Sequence, residues 1–132
     1  MNNTYKLFFE LIQVAIGSRE SLSSVPFAEE WNAIYRMAVK QAVAGVCFYG
    51  VQLLPKEQIE AMPKKMMVQW LALAEVIRRK NVLMNIRCVE LQRMLMDEGI
   101  FSSILKGQGA ACYYRINNPD IGFKNDSFPW AI

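Results

Sequence analysis

Between Pro63 and Gly99 the chain runs from Lys64 to Glu98 without a glycine or a proline. No other feature limits the fold as much, because those two residues are the usual means of ending a helix. Within the run Met67, Trp70 or Leu71, Ala74, Ile77, Met84, Cys88, Leu91 and Leu95 return every three or four positions, which places them on one helix face. The spacing predicts a helix of roughly thirty residues, about 45 Å long at 1.5 Å per residue. Gly99 stands where such a helix takes its left-handed closing residue, although Asp97 and Glu98 sit poorly with the negative end of the helix dipole. A helix of this kind can be a core element, a coiled coil or a surface for a partner. Its apolar stripe does not hold an unbroken heptad, so packing into a core is the expectation.

The segments before it are helical too. In "TYKLFFELIQVAIG" Leu7, Leu11, Val14 and Ala15 share a stripe that Phe8 and Ile12 widen, and Gly17 is a natural stop. "SSVPFAEEWNAIYRMAVKQ" places Ser and Pro before acidic Glu29 and Glu30, as a helix start prefers, and Trp31, Ile34, Tyr35 and Ala38 follow at the helical interval. "AVAGVCFYGVQLL" is apolar nearly all round and small on one side. It reads as a short buried helix, while its β-branched content also suits a strand. Pro55 interrupts the pattern, and "KEQIEAM" is expected as a short helix before Pro63.

A chain of 132 residues, 53% hydrophobic and 20% charged, has enough apolar surface for one modest core and is not of the disordered class. Residues 1–99 are therefore expected to form a helical bundle. The chain contains no histidine, and Cys47, Cys88 and Cys112 are widely spaced. That argues against a Cys/His zinc site and against a Ser-His or Cys-His nucleophile. Three scattered cysteines are expected to be reduced thiols in a reducing compartment. The start "MNNTYKLFFELIQ" lacks the uninterrupted apolar region of a signal peptide, and no apolar run is long enough to span a bilayer. A cytoplasmic protein without a membrane partner is expected. A net charge of +3, with no basic cluster longer than Arg78-Arg79-Lys80, gives no dedicated nucleic-acid surface. The apolar helix faces make self-association a possible property.

The character changes at Gly99. "GIFSSILKG" reads as a strand, and Lys106, Gly107, Gln108 and Gly109 follow it, before a run of small residues that is expected to open a helix. A helix start after a strand offers unpaired N–H groups and a partial positive charge, glycines allow close backbone approach, and the lysine adds a full charge. Those are the requirements for holding a phosphate. The order is neither that of a Walker loop nor G-x-G-x-x-G, and a tight turn with a surface lysine fits these four residues as well.

The stretch "ILKGQGAACYY", with "KQAVAGVCFYGVQLLP" and "QWLALAEVIRRKN" before it, resembles an uncharacterised branch of the nucleotidyltransferase superfamily over about residues 7 to 114. The resemblance implies helices leading into a small mixed α/β core and transfer of a nucleotidyl group from an NTP with Mg²⁺. It also implies that Lys106, Gly107, Gln108 and Gly109 bind phosphate. In that family an R-x-x-G-D-I-D-x-W strand follows. Two aspartates one residue apart on a strand point to one face, where they hold the metal that aligns the phosphate. Placing Trp130 on the family's tryptophan puts Asp126 on the first aspartate, Phe128 on the second and Gly122 on the arginine. Asp126 is then a candidate metal ligand with no acidic partner. Alternatively the last eighteen residues are unrelated to the pattern, as after a frameshift, and Asp120 is a second lone acid.

The expectation is thus a mainly α chain, α+β overall, with a helical region over 1–99 and an incomplete nucleotidyltransferase-type start over 100–132. Such a chain belongs to the family without catalysing the transfer, and its acceptor substrate is not readable. The competing expectation is a helical interaction module that uses the long helix as its contact surface.

Overall fold

A computed structural model of the chain describes residues 2–104. Five helices account for most of them: α1 (Asn3–Ala15), α2 (Ala28–Lys40), α3 (Ala44–Leu53), α4 (Lys56–Glu60) and α5 (Lys64–Asp97). The segment left open between helix and strand is helical, as α3. No strand occurs among the described residues, so the mainly α reading holds for them. The chain divides into two units at Ala74 and Glu75. Lys64–Ala74 of α5 belongs to the first unit and Glu75–Asp97 to the second.

The first unit has a well-defined core. Leu7, Leu11 and Val14 of α1, Trp31, Ile34 and Ala38 of α2, and Cys47 and Val51 of α3 are almost fully buried. Their spacing in sequence is three, four or seven, so each helix turns one stripe inward. Helices α1 and α3 approach closely at Gly50. A Cβ built there would lie 2.6 Å from the Leu11 carbonyl oxygen and 3.3 Å from the Ala15 Cβ. The small side of α3 is therefore the side on which α1 rests.

Trp70 fixes the start of α5 in this unit. Its ring is fully buried, lies edge-on to Tyr35 at 5.3 Å and is tilted against Phe48 at 6.1 Å. Its indole Nε1 donates to the Ala44 carbonyl at 2.9 Å. Burying a ring of this size stabilises most when the indole N–H finds an acceptor, and here it does.

Two buried polar side chains hold the loop between α1 and α2. Gln58 accepts from the Leu22 N–H at 3.0 Å and donates to the Leu22 carbonyl at 2.9 Å. Glu10 accepts from the Ser23 N–H at 2.8 Å and lies 3.5 Å from Arg19 and 3.9 Å from Lys6. The loop backbone thus obtains the partners that a regular element would have supplied. Glu30 performs a similar task at the start of α2. Its carboxylate accepts from the Phe27 N–H at 3.0 Å and from the Asn3 side-chain amide at 2.7 Å.

Three helices close in the same manner. At Gly17 (φ 81°) the N–H bonds to the Val14 carbonyl, and Ser18 N–H reaches back to Gln13. At Gly99 (φ 76°) the pair is Gly99 to Met96 and Ile100 to Leu95. Both glycines are the expected stops, with the left-handed backbone that two reverse bonds of this type require. At the end of α2 the same pair forms, Ala42 to Val39 and Val43 to Ala38, but the left-handed residue is Ala42 (φ 58°). A Cβ is unfavourable there.

Candidate functional site

Lys106, Gly107, Gln108, Gly109 and Asp126, the residues expected to bind phosphate and metal, lie outside the described residues. So do Asp120, Phe128 and Cys112. The described chain reaches their approach. Helix α5 ends at Asp97, Gly99 reverses the backbone, and residues 100–104 continue without regular structure. The strand expected over these residues is not observed in 100–104. A strand is completed by ladder hydrogen bonds to a neighbour, and the described residues include no strand to supply them. Phe101 is 91% exposed.

The second unit gives the long helix a different surface from the expected one. Beyond Trp70, the stripe proposed as core is at best half-buried, and Met84 and Leu91 are exposed. Leu83, Ile86, Met94 and Met96 are exposed as well, so apolar side chains meet solvent on more than one face. Asn81 is the buried polar residue of this stretch, and Cys88 is half-buried and free.

Near the start of this unit Glu75 is paired with two arginines. Arg78 Nε and Nη2 donate to both oxygens of Glu75 at 2.9 and 2.8 Å, and Arg79 Nε donates to one of them at 3.0 Å. These hydrogen bonds, first from Arg78 and then from Arg79, hold the Glu75 carboxyl down at about 2. Arg79 and Lys80 are exposed and Arg78 is partly so, which is the solvated helix face that the sequence suggests.

In the first unit, Glu29, Asn32, Tyr35 and Arg36 of α2 and Gln69 of α5 line a cleft of about 360 Å³. It offers a carboxylate, a guanidinium and two amides around a phenol whose ring is backed by Trp70. These groups can hydrogen-bond a polar molecule, but the cleft contains no serine, threonine or cysteine to act as a nucleophile. None of its residues stood out as a site in the sequence. The only signal was Glu29 and Arg36 seven positions apart on α2, a spacing that also describes any solvated helix face.

The cysteine of this unit is inert. Cys47 is fully buried, and desolvation pushes its thiol up to about 12. It is a small core residue of α3. Among the described residues no three Cys, Asp or Glu groups come together to hold a metal ion. No helix among them is long and apolar enough to cross a membrane. No family model, curated protein or solved structure matches the chain.

Proposed function

We propose that the chain is a nucleotidyltransferase-type protein whose helical portion leads into a phosphate-binding turn at Lys106, Gly107, Gln108 and Gly109, and that it does not itself catalyse nucleotidyl transfer. The observation that carries this reading is the closure of α5 at Gly99. Helices occupy the segments for which the resemblance calls for helices, and the last of them stops just before the run that leads to Lys106. Backbone N–H groups of the glycine turn would face the phosphates, and the Lys106 ammonium would offset their charge.

The transfer step needs more than this turn. Mg²⁺ must be held by carboxylates so that the phosphate under attack is aligned and its developing charge neutralised. By the resemblance, Asp126 has Phe128 where a second carboxylate is called for. No catalytic step is therefore assigned to this chain.

A second reading is favoured by the second unit. Leu83, Met84, Ile86, Leu91, Met94 and Met96 are all about half exposed or more, which suits a helical interaction module that uses α5 as its contact surface. One experiment separates the two. The purified chain is melted with and without ATP and Mg²⁺, and the melt is repeated on Lys106→Ala. Nucleotide at 100 times its Kd adds about 2.7 kcal/mol to a folded binder. A raised midpoint that disappears in Lys106→Ala is the expected result. A cooperative melt that saturating nucleotide leaves unmoved would sink the phosphate-binding reading and leave the interaction module.

A further inference from the structure

We draw no further inference here: the strongest candidate, the exposed apolar surface of α5 between Val76 and Met96, already serves the second reading above, and nothing in the structure shows what covers it.

Discussion

Lys64–Ala74 and Glu75–Asp97 are two stretches of one helix that use their apolar residues differently. In the first stretch Met66 and Trp70 are buried, and Trp70 is hydrogen-bonded to α3 and packs edge-on or tilted against rings of α2 and α3. In the second, Val76, Leu83, Ile86 and Met94 remain about half exposed. Periodicity records which residues share a helix face. It does not record whether another element lies against that face, and burial, which supplies the stabilising free energy, depends on that element. The first unit therefore has a core in the energetic sense, whereas the described part of the second is a helix with apolar surface to spare.

The largest test of this contrast pairs one substitution from each stretch. Trp70→Ala removes a fully buried ring and its hydrogen bond, and is expected to cost about 3–5 kcal/mol in urea unfolding. Met94→Ala is expected to stay within about 0.5 kcal/mol, because its side chain is mostly in water. If Met94→Ala costs as much as a core substitution, the second stretch has a partner in solution and the contrast fails.

The helix crossing in the first unit gives the next effect. Gly50→Ala sets a methyl group 2.6 Å from a backbone carbonyl that cannot swing aside. Separation of α1 from α3 is expected to destabilise the chain by about 1–3 kcal/mol. An unchanged urea midpoint would mean that the two helices are not pressed together at this point.

A smaller change of opposite sign is expected at the end of α2. Glycine at position 42 relieves the left-handed strain of an L-residue, about 1–2 kcal/mol, while the freer unfolded chain takes back about 0.4–1 kcal/mol. Ala42→Gly should therefore stabilise by about 0.5 kcal/mol. A lower melting temperature would show that the alanine side chain makes a packing contribution greater than its strain.

The smallest effect belongs to the second unit and to pH. The Glu75 carboxyl is depressed from its ordinary 4.5 to about 2, so its contribution is present above the ordinary value and is lost as pH falls through the depressed one. NMR titration should find the Glu75 midpoint well below those of the other carboxylates. The pairing is solvent-exposed and screened, so Glu75→Gln should abolish this titration and leave the urea midpoint almost unmoved. A normal Glu75 midpoint would mean that the two arginines do not hold it in solution.

Much of the helical order was legible because its signals are local. Gly17 and Gly99 are closing residues wherever a helix needs a left-handed backbone, and both are found in that role. The α1 and α2 stripes were readable because a narrow apolar face has few alternatives. Gln58 and Glu10 were not readable as loop anchors. Their partners, Leu22 and Ser23, are 36 and 13 residues away, and no local pattern links a polar side chain to a distant backbone group. The cleft residues were hidden for the same reason, since Gln69 joins the α2 residues only through folding. Ala42 hid its turn by being an alanine.

What the sequence alone determined about this protein is most of its helices and the glycine stops of α1 and α5. Turn formation and backbone dihedrals are properties of neighbouring residues, and those are read in order along the chain. Only the tertiary structure decided which apolar stripes became core. That outcome depends on elements distant in sequence meeting in space, as α1 meets α3 at Gly50 and Trp70 meets Ala44. It is also why one long helix is anchored over its first turns and bares most of its apolar residues over the rest.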